Sequence, residues 1–191
     1  MNLAQFLNVV PRGDLWVFGY GSLMWAPEIP FVERCIGRVH GYHRALCILS
    51  SRYRGTPEKP GLVMGLCRGG SCWGMAFRIH AAQAKETLDT LWKREMLNHV
   101  YMPRFVPISL KEPQRVQALA FVADTTHRQY AGELGLDARA RLVAQGVGQR
   151  GRCVDYIRNT LDHMRDLGVR DPHLARILDA ALGLAPKKKP E

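Results

Sequence analysis

The sequence predicts an α+β domain on three observations: β-rich runs dominate up to Asp124, one helical period interrupts them near residues 81–96, and only helical patterning follows. The sheet built from such a block could close on itself as a barrel. With 191 residues, 47% apolar and 23% charged, the chain reads as a single domain over 1–191 with material for a full hydrophobic core.

Residues 2–9 suit a short helix, closed by Pro11 and Gly13. Residues 15–18 are aromatic and β-branched and end abruptly at Gly19, which marks a first strand. The turn after it, Gly19-Tyr20-Gly21-Ser22-Leu23-Met24-Trp25, is the stretch around which the rest is expected to assemble. Glycines at 19 and 21 permit positive φ and let backbone N–H groups approach a carboxylate or phosphate. A plain strand-to-loop turn that needs glycines only for shape gives the same pattern. A dinucleotide-binding turn is excluded, because Met24 stands where the third glycine belongs and Pro27 and Pro30 oppose a long helix.

Residues 31–39 and 42–50 read as a strand pair around His40-Gly41, and residues 62–67 and 72–79 as a hairpin around Arg68-Gly69-Gly70-Ser71. Between them, 51–61 is a glycine- and proline-rich loop carrying Arg52 and Arg54. Their planar forks suit a carboxylate, and solvated loop charges explain them equally well. From 81 to about 96 the period is helical, with Ala84, Leu88, Leu91 and Trp92 as the apolar stripe. Glu95 falls on that stripe, four residues after Leu91. A carboxylate turned into an apolar interior is costly unless paired, and desolvation raises its pKa toward that of a useful general base. The position is equally explained if an arginine or tyrosine satisfies it, or if the helix ends before it.

Residues 101–110 and 116–123 are further strands around a turn at 111–114, and helices are expected near 137–145, 153–167 and 172–183. Gly146, Gly148 and Gly151 match the dinucleotide spacing but follow a helix, so the segment reads as an interhelical turn.

The net charge of +10 is dispersed, and the only basic run, Lys187-Lys188-Lys189, lies in a tail over 185–191 that is expected to be disordered. Without basic residues interleaved with aromatics on one face, no nucleic-acid partner is expected. Five cysteines, an odd number with no C-x-x-C pair, read as buried free thiols. Histidines are scattered, and His40 and His43 would face opposite sides of a strand, so no metal is expected. No signal peptide or spanning run is visible, which points to the cytoplasm and no membrane association.

With these pieces in place, the chain resembles the ChaC-like gamma-glutamylcyclotransferases over roughly residues 15–178. The matching residues are Val17-Phe18-Gly19-Tyr20-Gly21-Ser22-Leu23-Met24-Trp25, Arg54-Gly55-Thr56-Pro57 with Pro60-Gly61, Cys72-Trp73-Gly74, Arg94-Glu95, Tyr101, Tyr130-Ala131-Gly132, the turn at 148–151, and Asp155-Tyr156. The resemblance implies a small mixed β-barrel with flanking helices and a cofactor-free reaction on glutathione or another gamma-glutamyl compound. It assigns Glu95 as proton acceptor, and the turn of Gly19, Tyr20, Gly21, Ser22 and Leu23 as substrate cradle. Val17 and Phe18 line the approach, and Arg54 and Tyr101 are further substrate-binding residues. Two departures bear on the acceptor pocket: Cys153 replaces a frequent asparagine, and Val100 replaces the glycine before Tyr101. A non-catalytic protein on the same fold, binding a small anion or nucleic acid, is the rival class.

Overall fold

The computed structural model describes residues 2–110, 114–132 and 134–184; residues 111–113 of the turn predicted at 111–114 and the basic tail at 185–191 lie outside the described residues. Strands β1 (Leu15–Gly19), β2 (Glu33–Ser50), β3 (Gly61–Ile79), β4 (Tyr101–Leu110) and β5 (Arg115–Ala123) close into a barrel in the order β1-β3-β2-β4-β5. The barrel is mixed. β5 runs antiparallel to β4 but parallel to β1 and β3. Paired on several sides, β5 is buried without interruption from Ala118 to Ala123, which is why its sequence is a continuous apolar run instead of an alternating one.

The chain forms two compact units, one from the residues up to Ala45 with Gly65–Asp124, the other from Leu46–Met64 and from Thr125 onward. The first unit carries β1, β4, β5 and the greater part of β2 and β3, with helices α1 (Leu3–Leu7) and α2 (Ala84–Glu95). Five-residue α1 is marginal on its own. It is held by a reciprocal cap, in which the Asn2 side chain accepts from the Gln5 N–H at 2.9 Å and the Gln5 side chain accepts from the Asn2 N–H at 3.0 Å. Phe6 then stacks on Phe105 at 5.5 Å and joins Val17, Phe77, Leu88, Leu91 and Phe121 in one buried cluster.

Two sequence expectations need correction. The strand pair around His40-Gly41 is one strand, β2, and the hairpin around Arg68-Gly69-Gly70-Ser71 is also one strand, β3. Gly41, Gly69 and Gly70 do adopt positive φ (81°, 96° and 70°), but inside these long strands. There they act as local bends that let a strand curve around a closed sheet.

The second unit holds α3 (Leu136–Gln145), α4 (Cys153–Asp166) and α5 (Pro172–Leu184), with Val143, Val154, Ile157, Met164, Leu174 and Ile177 buried. Pro172 opens α5 where a proline costs nothing, and the Asp171 carboxylate accepts from the Leu174 N–H at 2.9 Å. Between α3 and α4 the glycine segment makes a two-residue pair, β6 (Val147–Gly148) with β7 (Gly151–Arg152). That is an interhelical turn, as its sequence context predicts. It grips the 51–60 loop: the Gln149 and Arg150 N–H groups donate to the Arg52 and Tyr53 carbonyls at 2.8 and 3.0 Å. A Cβ at Gly148 would lie 2.4 Å from the Arg52 oxygen, so the two backbones meet only because that residue is glycine. No helix among the described residues is long and apolar enough to cross a membrane.

Candidate active site

Three chain ends share one rim of the barrel. β1 runs out at Gly19 alongside parallel β5, with Val17 opposite Leu119, and β4 begins at Tyr101 opposite Ala123, where β5 stops. The turn leaving β1 therefore emerges beside the start of β4.

That turn tightens into a 3-10 turn at Ser22–Met24, closed by the Met24 N–H donating to the Gly21 carbonyl at 2.9 Å and the Ala26 N–H to the Ser22 carbonyl at 2.9 Å. The expected left-handed backbone is absent: neither Gly19 nor Gly21 has positive φ, and Gly21 sits at −129°. Gly19 is required for another reason. A Cβ there would lie 2.8 Å from Leu23 Cβ, so a larger residue would push the turn off the strand. Among the described residues, the main-chain N–H groups of Gly21, Ser22 and Leu23 make no hydrogen bond. Consecutive unpartnered N–H groups at a helical N-terminus form a concavity of positive potential.

The turn is held from two sides. The Tyr20 hydroxyl donates to the Phe121 carbonyl, tying the turn to β5. From β2, Arg44 donates through Nε to the Tyr20 carbonyl at 2.5 Å and through Nη2 to the Trp73 carbonyl at 2.7 Å. Leu23 is buried in the core cluster, as is Val17, and Phe18 is fully buried with its ring packed under Gly74.

Helix α2 ends at Glu95, after burying Leu88 and Leu91. Glu95 has an arginine partner, one of the alternatives its position on the stripe left open. Its Oε1 is paired with the Nε of its neighbour Arg94 at 2.9 Å, and 17% of its side chain is exposed. Arg94, 8% exposed, also donates through Nη2 to the Ser22 hydroxyl at 2.9 Å. Through Nη1 it donates to the Ala26 carbonyl at 2.6 Å and the Glu28 carboxylate at 3.1 Å. One guanidinium thus joins the Glu95 carboxylate to the glycine turn. Tyr101 is half-buried and packs on the same core cluster.

Arg54 belongs to the second unit. Its Nη1 donates to the Arg150 and Arg152 carbonyls, and its guanidinium lies 5.3 Å from the Tyr156 ring. Burial lowers its pKa from the ordinary arginine value. Cys153, the departure from the common asparagine, donates its S–H to the Leu62 carbonyl at 2.9 Å and accepts from the Leu62 N–H at 3.4 Å. Its thiol is pushed up to about 11, chiefly by burial. Among the described residues no group of three or more His, Cys, Asp or Glu side chains could hold a metal ion.

The family model described as ChaC-like protein matches residues 15–182. The chain belongs to the ChaC-like family. It is 34% identical over 191 residues to the glutathione-specific gamma-glutamylcyclotransferase of Escherichia coli (strain K12), spanning 100% of this chain and 83% of that protein. Against glutathione-specific gamma-glutamylcyclotransferase 1 of Homo sapiens the identity is 32% over 194 residues, spanning 96% and 86%. Its fold matches a crystal structure of a gamma-glutamyl cyclotransferase specific to glutathione from yeast, with TM-score 0.83 at 18% identity, covering 91% of this chain and 98% of that one.

Arg94 and Arg44 are the parts of this candidate site to which residue patterning gave no role. An arginine in a helix's last turn reads as a solvated partner of the helix dipole, as exposed Lys93 is, and nothing in the sequence says that Arg94 turns inward.

Proposed function

We propose that this protein is a glutathione-specific gamma-glutamylcyclotransferase, with Glu95 as the catalytic base. The observation that carries the reading is the Arg94 link, which brings the Glu95 carboxylate to a turn presenting three unpartnered main-chain N–H groups. The N–H groups of Gly21, Ser22 and Leu23 suit the α-carboxylate of a gamma-glutamyl substrate and hold it folded, with its amine against its own γ-carbonyl. An α-ammonium is no nucleophile. Glu95 takes one of its protons, the amine attacks the γ-carbon, and the five-membered ring closes. Glu95 then returns the proton to the departing amide nitrogen. The C–N bond to cysteine breaks, the ring nitrogen gives up its second proton by the same route, and that proton completes the ammonium of cysteinylglycine, so 5-oxoproline forms with no net change in protons. Because the nucleophile belongs to the substrate, the mechanism draws on no serine triad. Names of relatives 32% and 34% identical over nearly the whole chain support the activity and substrate.

The reaction is placed in the cytoplasm, a reading supported by five cysteines that are all free thiols. The experiment is direct: purified protein is incubated with glutathione and with a panel of other gamma-glutamyl amines, and 5-oxoproline and the released amine are quantified. Glutathione should be turned over in preference to the panel. Preference for another member moves the substrate assignment, and turnover of none overturns the enzymatic reading.

A further inference from the structure

We propose that Arg94 is a positioning residue for this reaction, fixing the Glu95 carboxylate and the Ser22-to-Glu28 turn in one register. The inference rests on Glu95 being the base. A guanidinium offers five N–H donors in a rigid planar fork, and here its donors are directed to different parts of the site. Nε holds Glu95 Oε1 at 2.9 Å, Nη2 holds the Ser22 hydroxyl at 2.9 Å, and Nη1 serves the Ala26 and Pro27 carbonyls at 2.6 and 3.2 Å. Glu28, in left-handed backbone at φ 53°, supplies a second carboxylate at 3.1 Å.

This geometry exceeds what helix ending demands. A cation favoured at the C-terminus of α2 would serve from the surface, where Lys93 already pairs with Asp89. Taking Arg94 inward to 8% exposure costs desolvation, which its many acceptors offset only while the turn and Glu95 keep their present relation. An amine-to-carboxylate proton transfer tolerates little displacement of the carboxylate. Lysine, a single point donor on a flexible stem, can satisfy one of these partners but not span them.

The test compares wild type, Arg94→Lys, Glu95→Gln and the double variant, measuring kcat and KM for glutathione and thermal unfolding, with residual rates read at high enzyme concentration. Arg94→Lys should fold and lose about 10²-fold in kcat, the scale of a misplaced catalytic group. In the double variant the loss should not exceed that of Glu95→Gln alone, because Arg94 acts through that carboxylate. Wild-type kcat in folded Arg94→Lys overturns the inference. So do losses that multiply in the double variant, the signature of a merely structural role. Should Arg94→Lys fail to fold, Ser22→Ala cuts the link from the turn side: its kcat should fall, again without further loss beside Glu95→Gln, and an unchanged kcat overturns the proposal. Inactive wild type on every gamma-glutamyl compound removes the catalytic reading itself, a result distinct from active wild type with an indifferent Arg94.

Discussion

Glu95→Gln separates chemistry from architecture, because the two losses differ in size. Glutamine keeps the shape of the side chain, and its amide oxygen can still accept from Arg94 Nε where Oε1 now does at 2.9 Å. What disappears is the charge in that hydrogen bond, a difference of about 1 kcal/mol between charge-assisted and neutral bonds. Breaking a buried ion pair outright costs more, roughly 3–5 kcal/mol. That larger figure does not apply, since Arg94 retains Glu28, Ser22 and two carbonyls and Glu95 is partly solvated. A loss of about 1 kcal/mol lowers Tm by roughly 2–4 °C in a chain of this size. The rate should suffer far more. Removal of a general base costs about 10²–10⁴-fold, equivalent to roughly 3–5 kcal/mol in the barrier. The assay pairs 5-oxoproline release with thermal unfolding monitored by circular dichroism. A variant with kcat within about threefold of wild type would refute the mechanism, the scale being set against the general-base range. Lost activity accompanied by collapse of the thermal transition would refute the claim that the fold does not depend on this charge.

Other consequences can be measured in the same way. Cys153 is more basic folded, at about 11, than its ordinary 9.0, so the unfolded chain releases the proton first as pH rises. The corresponding stability, about 3 kcal/mol for two pKa units, is complete below pH 9 and lost between about 9 and 11. Urea unfolding at pH 8.5 and 10.5 should show a steeper loss in wild type than in Cys153→Ser, and parallel losses would contradict this. Thr87 is fully buried, and its hydroxyl has no partner among the described residues. Thr87→Val should raise stability by about 1 kcal/mol in urea titration, and a destabilised variant would mean that the hydroxyl is satisfied in solution. Gly148→Ala places a methyl 2.4 to 2.6 Å from backbone atoms of Arg52, Tyr53 and Gly55. It should cost at least 1–3 kcal/mol, seen as a lower Tm, and an unchanged Tm would argue against the loop clamp.

Much of the fold was legible because its signals are local. Leu15 to Phe18 announced β1, and the switch of period at residue 81 announced α2 to within a turn. The two long strands were misread because Gly41 and Gly69-Gly70 carry the local signature of a reversal. Whether such glycines reverse a chain or only bend it is decided by hydrogen bonding to strands distant in sequence. At the site, the period placed Glu95 correctly at the end of α2 but gave its environment only as a choice, of which an arginine partner is the one realised. That the partner is the adjacent residue reflects the curl of one long side chain around a helix end. Such a rotamer is set by acceptors some 70 positions upstream, at Ser22 and Ala26.

The division of the chain also limits how it can be cut. Each unit is assembled from two separate stretches of sequence, with crossings inside β2, inside β3 and after Asp124. No single proteolytic nick or stop codon can liberate either one whole. A truncation after Asp124 would strand residues 46–64 without the rest of their unit, so a gene fragment encoding only the first unit would need the intervening segment excised and the ends rejoined.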